Sequence, residues 1–103
     1  MLSITKDRNG GEVEVKLEES FEIQLPENRT TGHRWHLRSS GGPVVELQDD
    51  SLQAPARPSG AAGVRRWLFR PVAEGSADLE MEYRRPWEKH AAETFRITVR
   101  VTA

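Results

Sequence analysis

Apolar and polar residues alternate with a period of two along most of the chain. Val13, Val15 and Leu17 are interleaved with Glu12, Glu14 and Lys16, and Phe21, Ile23 and Leu25 with Glu22 and Gln24. Trp35 and Leu37 alternate with Arg34, His36 and Arg38, and Trp67 and Phe69 follow Arg65 and Arg66. Leu79, Met81 and Tyr83 alternate with Asp78, Glu80 and Glu82. Phe95, Ile97, Val99 and Val101 alternate with Arg96, Thr98, Arg100 and Thr102. Successive side chains of a strand point to opposite faces, so the pattern predicts strands with one buried and one wet face, hence antiparallel sheets. β-branched and aromatic residues fill the inner positions, as a pleated half-buried surface prefers.

Turn chemistry interrupts the pattern at intervals. Asn9-Gly10-Gly11 and Glu74-Gly75-Ser76 predict short turns, and Ser39-Ser40-Gly41-Gly42-Pro43 ends a strand. Ala54 to Gly63 predicts a long loop with two prolines and two glycines. Helical periodicity is weak throughout. Seven or eight short strands with regular turns predict an all-β, immunoglobulin-like antiparallel β-sandwich. A small barrel is the alternative architecture. With no disulfide to brace the sheets, Trp35 and Trp67 are the largest candidate core fillers.

Composition narrows the function more than the fold. At 103 residues the chain predicts a single domain spanning 1–103. Its net charge of -1 predicts no general affinity for nucleic acid or an anionic membrane. The absence of cysteine excludes a disulfide scaffold, a thiol nucleophile and a thiolate metal site. No apolar run approaches ~18 residues, so no helical membrane span is expected. The N-terminal segment has no apolar signal region, which leaves a cytoplasmic protein or a secreted or periplasmic one whose signal has been removed.

Three segments fit neither strand nor simple turn: Pro26 to His33, Pro58 to Gly63, and Tyr83 to Lys89. Strand parity places all three at one end of a sandwich, where loops carry function on a rigid frame. Trp87 follows Pro86 in a charged stretch and reads as an interface anchor, because Trp and Arg dominate binding hot spots. Residues 27–34, 57–66 and 84–90 hold eight basic side chains (Arg29, Arg34, Arg57, Arg65, Arg66, Arg84, Arg85, Lys89) against Glu27 and Glu88. That is +6 at the loop end and, from the total of -1, -7 elsewhere. An acidic partner would be steered to this end.

These motifs, in this order, resemble the chagasin-type inhibitors of papain-like cysteine peptidases. The family's Asn-Pro-Thr-Thr-Gly motif, followed by an aromatic and a tryptophan, is matched by Asn28-Arg29-Thr30-Thr31-Gly32-His33-Arg34-Trp35. Its Gly-x-Gly-Gly motif is matched by Gly60-Ala61-Ala62-Gly63, and its Arg-Pro-Trp motif by Arg85-Pro86-Trp87. The resemblance implies a reversible, competitive, non-covalent inhibitor that binds through these twelve residues: Asn28 to Gly32, Gly60 to Gly63, and Arg85 to Trp87. The Thr30-Thr31 loop would cross the enzyme's catalytic cysteine, the glycine-rich loop would line the unprimed subsites, and Trp87 would dock on the primed side, with Arg85 pairing with enzyme acids. It further implies a monomer that needs no cofactor or metal and has no catalytic residue. Three departures stand out. Arg29 replaces a proline and its fixed φ, Ala62 replaces a glycine, and His33 replaces an aromatic. They predict a less pre-organised surface and weaker or retuned binding.

Other classes fit less well. His33, His36 and His90 lack metal-ligand spacing, and Asp49-Asp50 reads as an exposed acidic pair in a turn-like stretch. An immunoglobulin-like adhesion module using the same loop end on a non-peptidase partner is the main alternative. A nucleic-acid binder stacking bases on Trp67 and Trp87 is disfavoured by the acidic remainder of the chain.

Overall fold

The computed structural model describes residues 1–28, 31–53 and 63–103. The described chain forms eight strands: β1 (Leu2–Ile4), β2 (Glu12–Lys16), β3 (Phe21–Glu27), β4 (Arg34–Ser40), β5 (Val45–Gln53), β6 (Gly63–Pro71), β7 (Gly75–Arg84) and β8 (Glu93–Thr102). One turn of 3-10 helix covers Lys6–Arg8. The strands form two four-stranded sheets, ordered β1-β3-β6-β5 and β2-β8-β7-β4. This is the expected all-β sandwich.

The inner face of each strand is the apolar face of the alternation. Phe21, Ile23, Leu25, Trp67 and Phe69 from one sheet meet Leu79, Met81, Phe95, Ile97 and Val99 from the other, all fully buried. Phe21 lies opposite Phe69 in register, and their rings stack with centroids 5.4 Å apart. Trp35 and Trp67 are both core residues, at 2% and 0% exposure. The outer face of the second sheet carries charges paired across strands, including Arg38 with Glu82 and Arg96 with Asp78.

Two expectations need correction. The sheets are not wholly antiparallel: β1 runs parallel to β3, and β2 parallel to β8. The first sixteen residues supply an edge to one sheet, turn through Lys6–Gly11, and supply an edge to the other. Alternation reports which face is wet, not the direction of a neighbour distant in sequence. Asp49-Asp50 is exposed as expected, but lies within β5 rather than in a turn. Register shifts between Leu47 and Asp49, and such a bulge breaks the alternation that would have revealed the strand.

The strands also run further towards the loops than the motifs suggested. Pro26 and Glu27 belong to β3, Gly63 to β6, and Tyr83 and Arg84 to β7. Pro26 fits because its carbonyl accepts a hydrogen bond from Trp35 Nε1, at 2.9 Å. The polar groups of one strand residue lie on one side, so the missing N–H falls outside the β3–β6 ladder. At the opposite end Gly41 takes φ +75°, and a Cβ there would lie 2.7 Å from Val45 and 2.8 Å from Leu79. Glycine is required by both backbone and space.

Candidate functional site

Strand register brings the three loop bases to one rim. Glu27, where β3 ends, pairs with Gly63, where β6 begins. Arg34, where β4 begins, pairs with Arg84, where β7 ends. Tyr83 in turn pairs with Glu93 at the start of β8. The strand ends that flank residues 28–33, 54–62 and 85–92 therefore lie along one rim of the sandwich.

The first segment is closed at its base by a carboxylate. Glu27 is 1% exposed, and its Oε1 accepts from the backbone N–H of Trp35, at 2.7 Å, across the two sheets. The Arg65 guanidinium reaches the same oxygen at 3.3 Å and holds Asp50 with two hydrogen bonds. Asp50 contributes most to raising the guanidinium's pKa above its ordinary value, and Glu27 adds to it. Arg65 also lies over the Trp67 ring, 5.4 Å from its centroid. A buried charge survives when paired and hydrogen-bonded, and this cluster meets that condition. It ties β3, β4, β5 and β6 together beneath the rim.

Above this floor the first and third segments touch. Tyr83 Oη accepts from the Asn28 N–H at 3.0 Å and lies 3.3 Å from the Asn28 carbonyl. Its ring packs on Trp35 on one side and stacks with His33 at 5.2 Å. His33 Nδ1 is 2.8 Å from Thr31 Oγ1, and that hydroxyl donates to the Asn28 carbonyl at 3.1 Å. From the third segment, Arg85 Nε donates to the Thr31 carbonyl at 3.0 Å. Gly32 takes φ +80°, and the Trp87 ring edge lies 3.5 Å from where its Cβ would be. Residues 85–88 form a tight turn closed by the Glu88 N–H and the Arg85 carbonyl, with Pro86 pre-set at its second position. Trp87 at the apex is 73% exposed.

Six of the twelve predicted contact residues are thus gathered in one place: Asn28, Thr31, Gly32, Arg85, Pro86 and Trp87. Gly63 sits at the base of the second segment, in register with Glu27. Arg29, Thr30, Gly60, Ala61 and Ala62 lie outside the described residues. The charge count at this end overstates the free positive charge, because Arg65 is matched by Asp50 and Glu27, and Arg66 by Glu22. Arg34 and Lys89 remain exposed at the rim. Arg85 is engaged inside the molecule by Thr31. Among the described residues, no group of three or more His, Asp or Glu side chains is placed to hold a metal ion.

Comparison with known proteins identifies the family. Residues 14–99 match the family model of the chagasin family peptidase inhibitor I42. The chain belongs to the chagasin family. It is 29% identical to chagasin of Trypanosoma cruzi over 105 aligned residues, covering 97% of this chain and 96% of chagasin. Its fold is like that of the cysteine protease inhibitor EhICP2 from Entamoeba histolytica, with a TM-score of 0.85 at 20% identity, over 98% of this chain and 94% of that one. It is also like PbICP-C, solved in complex with falcipain-2, with a TM-score of 0.70 at 16% identity, over 97% and 89% of the two chains. At these identities the two structures show a shared fold.

In this chagasin-family chain, three residues central to the rim were absent from the motif-based set. Glu27 carries a readable signal: it occupies the inward parity of Phe21, Ile23 and Leu25, where a carboxylate must find partners. Tyr83 likewise ends an inward series, so its hydroxyl needs a partner at the sheet end. Glu88 gives no such signal, since a charged residue in a polar turn is ordinary.

Proposed function

We propose that the chain is a reversible, competitive, non-covalent inhibitor of papain-like cysteine peptidases, wedging its three rim segments into the active-site cleft. The observation that carries this reading is Trp87, 73% exposed yet held against Gly32 at the rim of a chagasin-family sandwich. A large aromatic kept in water on a short turn is suited to desolvation by a partner. In this reading the Thr30-Thr31 segment crosses the catalytic cysteine. The segment with Gly60 and Gly63 lies along the unprimed side, and Trp87 docks on the primed side. The likeness to PbICP-C, a protein solved with falcipain-2, supports the choice of partner.

The chain acts as one domain and a monomer, and it meets its target with an interface of ~800 Å² per partner. Inhibition needs no chemistry from the inhibitor: a pre-formed surface excludes substrate, and its affinity depends on how little ordering remains on binding. The test is titration of several papain-like peptidases with a fluorogenic peptide substrate. Apparent KM rises at unchanged kcat, and activity returns on dilution. Full activity of every enzyme at micromolar inhibitor would sink the reading.

A further inference from the structure

The Glu88 carboxylate lies between the two segments that Arg85 and His33 join. Its Oε1 accepts from the Arg85 backbone N–H at 3.4 Å and lies 3.9 Å from Arg85 Nε. The same oxygen is 3.8 Å from His33 Nε2. Both neighbours end on Thr31: Arg85 Nε on its carbonyl, and His33 Nδ1 on its hydroxyl. Arg84, one residue earlier, caps the Pro86 and Glu88 carbonyls at 3.4 Å each. Thr31, Arg85, Glu88 and His33 therefore close a loop of polar contacts beneath the Trp87–Gly32 contact.

We propose that Glu88 is a positioning residue that holds the first and third rim segments in one arrangement, acting through Arg85. This rests on the inhibitor reading above and deepens it. Glu88 fixes the Arg85 side chain where it reaches Thr31, beside the His33 ring that stands between Thr31 and Tyr83. Trp87 then faces the enzyme in one orientation, because Gly32 is held beneath it. Arg85 serves first as an internal strut.

A positioning role has its own kinetic signature. If the two segments separate, only a fraction of free inhibitor is competent, and the association rate falls by that fraction. The dissociation rate belongs to the assembled complex and stays unchanged. A residue pressing on the enzyme acts mainly on dissociation instead. Electrostatic steering also acts on association, but it fades with salt.

The experiment compares the wild type with Glu88→Gln and with His33→Phe, which keeps a ring on Tyr83 but removes both nitrogens. Trp35 and Trp67 are buried, so fast depolarisation of tryptophan fluorescence in the free protein reports Trp87. The expected result is greater nanosecond depolarisation in both variants, larger in Glu88→Gln, with the thermal midpoint unchanged. Association with a papain-like peptidase slows about three- to tenfold in Glu88→Gln at both low and high salt, at unchanged dissociation. Unchanged depolarisation in Glu88→Gln overturns the proposal, whatever His33→Phe shows. So does faster dissociation at unchanged association, which would make Glu88 a contact residue. Should Glu88→Gln lower the thermal midpoint, Glu88→Asp, which keeps the charge but shortens its reach to Arg85, decides instead: greater depolarisation supports the proposal and an unchanged value overturns it. A wild type that inhibits no peptidase defeats the functional reading, while the free-protein fluorescence still decides the coupling.

Discussion

Trp67 and Trp87 divide the molecule into two regions built on different physics. Trp67 is fully buried in a continuous apolar core contributed by both sheets. Trp87 is 73% exposed, on a four-residue turn whose links to the sandwich are hydrogen bonds between half-exposed groups. The core excludes water through many redundant contacts, each replaceable by another of similar volume. The rim depends on a few specific bonds, each weakened by competing water. The fold can therefore tolerate much variation at the rim without unfolding the chain. Glu27 is where the two regions meet, since a fully buried carboxylate anchors the base of the first loop.

This contrast can be broken most directly at its buried end. Trp67→Ala costs about 3–5 kcal/mol through lost burial and a residual cavity. The thermal midpoint then falls by roughly 15 °C or more, as calorimetry would record. A shift of only a degree or two would mean that the core does not depend on this ring.

Next in size is Trp87→Ala. The rim reading expects a loss of about 2 kcal/mol in binding, roughly a thirtyfold rise in the inhibition constant. Stability should change by less than about 0.5 kcal/mol. Both are measurable on the same preparation, by progress-curve kinetics and thermal unfolding, and a large midpoint drop would contradict the division. Glu27→Ala is expected to do both things at once. It leaves the Trp35 N–H without its acceptor and costs about 1–3 kcal/mol of stability by denaturant titration. It also weakens inhibition, because the loop base opens. Gly32→Ala sharpens the picture further. Its Cβ would meet Trp87 at an ordinary contact distance, so the cost is the backbone strain of φ +80°, about 1 kcal/mol.

The smallest effect concerns pH, and it falls outside the rim. Glu22 accepts from Ser3 Oγ at 2.7 Å and from Gln24 Nε2 at 2.5 Å, and it pairs with Arg66. Ser3 contributes most to lowering its pKa below the ordinary value of 4.5, with Arg66 and Gln24 adding and burial opposing. A carboxyl whose pKa is lower when folded stabilises the fold fully above its unfolded pKa. That contribution is lost as pH falls through the folded value. Glu22→Gln should thus flatten part of the acid limb of the midpoint–pH curve below about pH 4.5, and leave inhibition near neutrality unchanged. An unaltered acid limb would show that the Ser3 contact contributes little.

Much of the fold is legible as alternation. Every strand with a clean inward series was visible: β2, β3, β4, β6, β7 and β8. The two that were not lack such a series for different reasons. β1 has only three residues, and β5 is a polar edge strand whose bulge inverts parity midway. At the rim, the motif residues around Gly32 and Trp87 could be named from the sequence, since turn chemistry and an aromatic beside proline are local features. Glu88 could not, because its meaning depends on which side chains a distant segment places beside it.

The sequence by itself determined which side chains face inward, where the chain must turn, and that a tryptophan would stand in a charged loop. Period-two patterning and glycine or proline chemistry act over a few residues, so a linear reading captures them. Tertiary structure alone decided the parallel edges, the Glu27–Arg65–Asp50 floor, and the tie between Thr31 and Arg85. Each joins groups at least fifteen residues apart in sequence, brought together by strand register. Burial by the opposite sheet then turns an ordinary glutamate into the anchor of the loop rim.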